Sequence, residues 1–298
     1  MRALAMVEGA ISRRVLAATD AMQWPNENAF GSPVVFEHGA DIRALARRCG
    51  DLAAGGERVA LIARAADLTL ARSELAVIAS RRLGLVVHVI AEAGGFDPAS
   101  LVGIAPALAL DDLPWGMLLG AGAHDAIDLA LIARRAAEDS GCPFFVVHER
   151  TEIGDAESVV APVPALCEGF LGAAGLGTVR PRGVAIPTVQ MSDPGSDRAF
   201  AERVPFALAS AMRELESFTG RRHDFIERSP GPGAGVALVG AGLLGRSLLA
   251  DVIRRTEGGQ DVVAVRVVAW RPFPAPQIVK ALGRALAVTV LERVDQPL

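Results

Sequence analysis

Short apolar runs alternate with helical patterns along the chain, and this alternation most constrains its fold. Val59–Ala63 reads as a short strand, and Leu68 to Leu83 follows with helical spacing. Leu83–Ala91 (LGLVVHVIA), Trp115–Leu119 (WGMLL) and Pro143–His148 (PFFVVH) read as further strands. Between the last two, Gly120-Ala121-Gly122 opens a helix over about Asp125–Glu138. Strands written as unbroken apolar runs are buried on both faces, and strands separated by helices predict a parallel sheet covered on both sides. A second series follows: a helix over Val204–Phe218, then strands at Val236–Val239, Val262–Ala269 and Ala287–Leu291. Residues 166–204, with GFLGAAGLGTVRPRG and MSDPGSD, are rich in Gly, Pro, Ser and Asp and read as a linker. The predicted class is α/β, with two doubly wound, mainly parallel sheets: domain 1–165, linker 166–204 and domain 205–298.

Composition narrows the function classes. The chain of 298 residues is 51% hydrophobic with a formal net charge of -4, and no Lys/Arg cluster interleaves with aromatics. Nucleic acid is therefore not an expected partner. No run approaches the ~18 uninterrupted apolar residues of a membrane span. Ser12-Arg13-Arg14 is followed by Asp20, Gln23 and Asn26 rather than by an apolar segment, so it is not read as an export signal and a cytoplasmic location is expected. Cys49, Cys142 and Cys167 form no C-x-x-C pair, so the chain alone cannot hold a four-cysteine cluster or structural zinc. They read as buried thiols, and no metal site is expected.

Val236–Ser247 (VALVGAGLLGRS) places Gly240, Gly242 and Gly245 in the G-x-G-x-x-G spacing between a strand and a helix. A dinucleotide site also needs an acid at the end of the next strand, for the ribose hydroxyls. That strand ends in Trp270 and Arg271 instead. An NAD(P)-dependent dehydrogenase is one reading of this turn, and a strand turning sharply into a helix is the simpler one.

Four strings then occur in order: FTGRRHDFIE (218–227), VALVGAG (236–242), WRPF (270–273) and VTVLERVDQP (288–297). They resemble T-G-R-x-Y, V-I-V-A-M-G-S, Y-R-P-F and V-L-D-R-x-K-E-P of the pyruvate:ferredoxin oxidoreductase family, the 2-oxoacid:acceptor oxidoreductases. Trp115–His148 is similar, without gaps, to the segment that ends the family's thiamin-pyrimidine domain, and Gly50–Ala63 to an earlier strand entry. The resemblance implies a thiamin-pyrimidine-binding-like domain followed by a transketolase-C-like domain. It also implies oxidative decarboxylation of a 2-oxoacid to an acyl-CoA, with thiamin diphosphate, Mg and iron–sulfur clusters. The diphosphate- and Mg-binding G-D-G…N signature is missing here. A partner subunit would carry that half and the clusters, coenzyme A would be co-substrate, and ferredoxin or a similar protein would accept the electrons.

The same resemblance identifies candidate site residues. Thiamin needs a carboxylate on its pyrimidine N1′. The family's Glu falls on Asp41, and Glu37 would lie one turn away if this stretch is helical. Both also read as solvated acids at a helix start. Trp24-Pro25 matches the start of the family's Y-P-x-T-P loop, but no Thr follows. The family's carboxylate-clamping Arg falls on Glu92, which would repel a 2-oxoacid anion. Asp125 falls on a family Glu and Asp128 on its Asp, while His223 replaces an aromatic and reads as packing. His148-Glu149-Arg150 ends a strand, where open α/β sheets place ligands, and also reads as a surface loop of mixed charge. His124 with Asp125 reads as helix capping, and His88 as a core residue. Three departures in one pocket leave a second reading open, a non-catalytic assembly subunit of such a complex.

Overall fold

The computed structural model describes residues 2–18, 25–92, 103–150, 160–172, 195–231, 235–283 and 285–292. The chain runs α1 (Arg2–Ile11), β1 (Arg14–Ala17), β2 (Val35–His38), α2 (Ile42–Ala54) and β3 (Val59–Arg64). A broken helical stretch follows, α3 (Ala65–Leu68), a 3-10 turn (Thr69–Ala71) and α4 (Arg72–Ser80). Then come β4 (Val86–Glu92), α5 (Ala105–Leu108), β5 (Gly116–Gly120), α6 (Ala123–Ser140) and β6 (Phe144–Arg150). The remainder is α7 (Pro164–Leu171), α8 (Gly195–Thr219), β7 (Ile226–Arg228), β8 (Val236–Ala241), α9 (Gly242–Glu257), β9 (Val262–Val267), β10 (Ala269–Arg271), α10 (Ala275–Leu282) and β11 (Ala287–Val290).

These elements form the two α/β sheets that the alternation predicts. The first has 7 strands in the order β10-β5-β6-β4-β3-β1-β2, and the second has 4 in the order β11-β8-β9-β7. All pairings are parallel except β10 on β5 and β7 on β9. Side chains alternate between faces along a strand. On β4, Val86 and Ile90 enter a core shared with α1, α6 and α8, while Val87, Val89 and Ala91 enter a second core with α2 and α4. Both faces are thus covered, which is why β3, β4, β5 and β6 show no polar alternation.

Two sequence expectations change. Residues 166–204, read as a linker, are helical over 166–171 and 195–204 at their two described ends. Cys167, Phe170, Ala199, Phe200 and Val204 are buried in the first sheet's core, so a Gly- and Pro-rich composition hid two anchored helix ends. The boundary at 205 falls inside α8, whose apolar face (Leu208, Ala211, Met212, Leu215) belongs to that same core. Second, Val262–Ala269 is not one strand. It leaves the second sheet after Val267, and Ala269–Arg271 joins the first sheet beside β5. Leu119 N–H donates to Val268 O at the crossing, 2.7 Å. One apolar run therefore serves two sheets. The three cysteines are buried and free, as expected. Burial pushes the Cys142 and Cys167 thiols up to about 11 and that of Cys49 higher still.

Candidate functional site

Open α/β sheets present ligand sites at the carboxyl ends of their strands. In the first sheet, the central strands β4, β5 and β6 end near α6 and the start of α9. Asp125, in the first turn of α6, accepts from Ala121 N–H (2.8 Å) and pairs with Arg266 Nη2 (2.5 Å). Arg266, on β9, is 2% exposed and also donates to Leu119 O (3.0 Å) and Glu227 (3.0 Å). Burial alone would lower its pKa, but Asp125 and Glu227 hold it above the ordinary guanidinium value. Asp125 does serve the entry to α6, and it is also a clasp between the two sheets.

Glu149 provides a second clasp. It lies on β6, and its carboxylate accepts from Leu243 N–H at the N-terminus of α9, 2.7 Å. Arg246, one turn into α9, donates to Ala121 O. Glu149 therefore belongs to the junction between the sheets rather than to a surface loop. Its position also bears on the glycine turn. In a dinucleotide site the helix N-terminus holds the pyrophosphate. Here a carboxylate of the same chain takes that place, and two anions cannot share it. Arg271, the residue nearest in sequence to a 2′-phosphate role, lies over the Phe200 ring, 4.9 Å from its centre. The dehydrogenase reading fails on these contacts.

The glycines have structural reasons instead. Gly242 has φ +53 and its Cβ would fall on the Glu149 carboxylate. At Gly245 a Cβ would stand 2.7 Å from Gly240 O and 2.8 Å from the Arg266 side chain. The turn lets α9 approach both the strand before it and the first sheet.

His148 stands beside Asp125 at the same edge, level with Gly120 of β5. A Cβ at Gly120 would lie 3.5 Å from His148 Nδ1 and 3.6 Å from Asp125 Cβ, so the missing side chain leaves a notch between them. The other ring nitrogen, Nε2, is 3.0 Å from Nδ1 of His88, and the two rings stack at 5.2 Å. His88 Nε2 is 2.7 Å from Glu8 Oε1. Both His88 and Glu8 are fully buried, while His148 is partly exposed. His88 is a satisfied core residue, as the apolar run around it suggests, but its partners are ionisable. Glu8 was not anticipated. Its signal was one acid within the apolar helix RALAMVEGAI, with Ser12 one turn later. Burial would raise its pKa, but Arg134 and the hydrogen bonds from His88 and Ser12 win, holding it down at about 2.

The proposed thiamin acids lie elsewhere. Glu37 is on β2, an edge strand, four strand spacings and so roughly 19 Å from β6. It pairs with Arg14 at 2.6 Å and Arg48 at 3.6 Å. Burial acts against its ionised form, but the two guanidinium groups outweigh it and lower the pKa. Asp41 is the N-cap of α2, where Oδ1 accepts from Arg43 N–H (2.9 Å) and Ala44 N–H (3.3 Å). The two are not one helical turn apart, because Glu37 is in a strand and the helix begins after Asp41. Helix-start capping was the right local reading of Asp41. Glu37 is thus held by two arginines, and exposed Asp41 by two amides on its Oδ1.

Of the remaining candidates, Pro25 is exposed at its residue level but lies against Gly9 of α1, where a Cβ would overlap its ring. Trp24 lies outside the described residues. Glu92 ends β4 opposite Arg150 in the register. His124 occupies the first turn of α6, whose N-cap is Gly122. His223 does more than pack: its Nε2 is 2.9 Å from Asp128 Oδ2. An open cavity of about 770 Å³ lies between β7 and α10 around Arg222, Glu227 and Lys280. Among the described residues, no group of three or more His, Cys, Asp or Glu is placed to hold a metal, and no helix is long and apolar enough to cross a membrane.

No family model matches the chain. It is 25% identical over 268 residues to pyruvate synthase subunit PorA of Pyrococcus furiosus, covering 82% of this chain and 65% of that one. It is 25% identical over 286 residues to the pyruvate:ferredoxin oxidoreductase of Moorella thermoacetica, covering 91% of this chain and 24% of that protein. The chain thus spans about two thirds of the first relative and a quarter of the second. Among solved structures it resembles the 2-oxoglutarate:ferredoxin oxidoreductase of Magnetococcus marinus, with TM-score 0.61, 14% identity, and coverage of 97% of this chain and 56% of that one. It also resembles a split-gene transketolase described as an inactive beta4 tetramer, with TM-score 0.59, 14% identity, and coverage of 98% and 77%. The structural likenesses show a transketolase-like α/β fold, and the sequence matches show distant homology to PorA and to the pyruvate:ferredoxin oxidoreductase.

Proposed function

We propose that this chain is a subunit of a 2-oxoacid:acceptor oxidoreductase complex that does not itself supply the thiamin acid. The observation carrying this reading is the engagement of both carboxylates that sequence alignment offers for the role. Glu37 is paired with Arg14 and Arg48, and Asp41 caps α2. The chain contributes a thiamin-pyrimidine-type part and a transketolase-C-type part to the assembly. A partner subunit carries the diphosphate half, Mg and the iron–sulfur clusters, and with them the oxidation of a 2-oxoacid to an acyl-CoA. Ferredoxin or a similar protein takes the electrons. Asp125 and His148 are the residues of this chain assigned to the shared strand-end edge. The locale is the cytoplasm, where such thiol- and cluster-containing complexes persist.

Two measurements test this. The tagged chain, purified from its native source, is expected to bring down an iron-bearing partner. A stable monomer without such a partner would sink the assembly role. In the reconstituted complex, Asp41→Ala and Glu37→Gln are each expected to leave turnover within a few-fold. A loss of ~100-fold or more, the scale of a missing acid–base group, would return the thiamin role to this chain.

A further inference from the structure

The hydrogen-bonded chain Glu8–His88–His148 has a direction. Glu8 on α1 already has a cationic partner, Arg134 of α6, at 3.5 Å, and it accepts from Ser12 Oγ at 2.5 Å. A carboxylate so paired does not require a cationic His88 to balance it. Being an acceptor, it takes the Nε2–H of His88, 2.7 Å away. The neutral ring then has a lone pair on Nδ1. That lone pair accepts the Nε2–H of His148 at 3.0 Å. His148 is left with its own lone pair on Nδ1, at the Gly120 notch. Each tautomer is set by the hydrogen bond before it.

We propose that Glu8, His88 and His148 form a proton relay. Its outer end, His148 Nδ1, accepts a proton from a weakly acidic N–H or O–H group bound at the carboxyl edge of the first sheet, and the added charge is stored on buried His88. The donor's N–H or O–H bond breaks and leaves its electron pair on the donor. A new N–H bond forms at His148 Nδ1, the Nε2–H bond of that ring breaks, and its proton bonds to Nδ1 of His88. His148 remains neutral in the opposite tautomer, and His88 becomes an imidazolium held by Glu8.

Electrostatics favour this distribution. Burial, followed by the charge of His88, holds His148 well below its ordinary pKa, so a charge resting on the outer ring is disfavoured. The inner ring touches the Glu8 carboxylate, which offsets a charge there in part while also facing Arg134. Among the described residues, the charged groups around the relay are Glu8 from α1 and Arg134 and Asp125 from α6, and the amino-terminal charge of the chain also lowers the His148 pKa. Arg266 of β9 lies behind Asp125, and Glu149 points to the opposite face of β6. His148 is the proton acceptor, and His88 and Glu8 position it. The relay consists of this chain's residues alone, so it stands or falls independently of the oxidoreductase assignment.

The test is the ring-nitrogen spectrum of the full 15N-labelled chain, titrated downward from neutral pH. With 5 histidines, the signals can be assigned individually. At the starting pH both rings are expected neutral, with the proton on Nε2. As pH falls, His88 should gain a second N–H while His148, in the same transition, moves its single proton from Nε2 to Nδ1. Glu8→Gln should lower the midpoint of that transition by at least about one pH unit, a tenfold loss of proton affinity. The proposal is overturned if His148 becomes the imidazolium, if it starts in the Nδ1–H tautomer, if the rings titrate separately, or if neither takes a proton before acid unfolding. An unmoved midpoint in folded Glu8→Gln removes Glu8 from the relay. Should that variant not fold, the wild-type spectrum still decides.

Discussion

Arg221 grips Asp128 with both arms of its guanidinium. Nε donates to Oδ2 and Nη2 to Oδ1, each at 2.7 Å, across 93 residues of sequence. Asp128 is 2% exposed on α6, whereas Arg221 follows α8 and is half exposed. His223 adds a third contact to the same carboxylate. The Thr219-Gly220-Arg221 string and the Asp of the Trp115–His148 segment, far apart in the sequence, are thus two halves of one contact. Removing either half strands the other, and the buried half is the costly one.

Arg221→Ala is expected to destabilise the fold by about 2 kcal/mol, because buried Asp128 keeps only His223. Arg221→Lys, which retains charge but loses the two-pronged geometry, should cost about half as much. Urea midpoints at unchanged slope measure both. Burial opposes the ionised form of Asp128, but Arg221 and His223 lower its pKa from the ordinary 3.8. Its stabilisation is therefore complete above that value and disappears as pH falls through the lower folded value.

Glu8 gives a larger acid response of the same sign. Its carboxyl is held at about 2 in the fold, against 4.5 when unperturbed. The ionised form is the one that the native state prefers, so the contribution is full above pH 4.5 and fades as pH drops toward 2. The difference corresponds to on the order of 3 kcal/mol. Glu8→Gln should flatten the stability profile across this window and lower stability at neutral pH, where Arg134 loses its counter-charge. Chemical denaturation at a series of pH values compares the two slopes.

Gly242 and Gly259 separate conformational strain from a specific contact. Both have positive φ, +53 and +83, but a Cβ at Gly259 meets nothing within 4 Å, whereas at Gly242 it meets Glu149. Gly259→Ala should cost only the left-handed penalty, about 1 kcal/mol. Gly242→Ala should cost clearly more, and faster hydrogen exchange at the amides of the first turn of α9 would show the lost clasp. Equal costs would mean that Glu149 contributes nothing there.

The Glu149–Leu243 contact also predicts a negative result. NADH and NADPH at micromolar levels should leave the Trp fluorescence of the chain unchanged, since the N-terminus of α9 is already met by a carboxylate. Saturable quenching would show that the clasp opens to a phosphate.

The strands around Val59–Ala63, Leu83–Ala91 and Pro143–His148 could be read from sequence because strands covered on both faces leave an unbroken apolar run. Helices with a long buried face, such as α6, were equally legible. Strand pairing was not: Val262–Ala269 reads as one strand because hydrophobicity records burial and not which sheet supplies the neighbour. The spacing of Glu37 and Asp41 shows the same limit, since four residues make one helical turn only where a helix exists, and here the helix begins after Asp41. The order of the four strings carries the resemblance, and it shows none of their contacts. Glu8 meets His88 across 80 residues, and Glu149 meets Leu243 across 94. Local pattern determines which segments become strands and helices, because burial and periodicity are properties of neighbouring residues. Which charges meet, and hence which acids remain available for chemistry, is decided only when the packed sheets bring distant segments within a few ångströms.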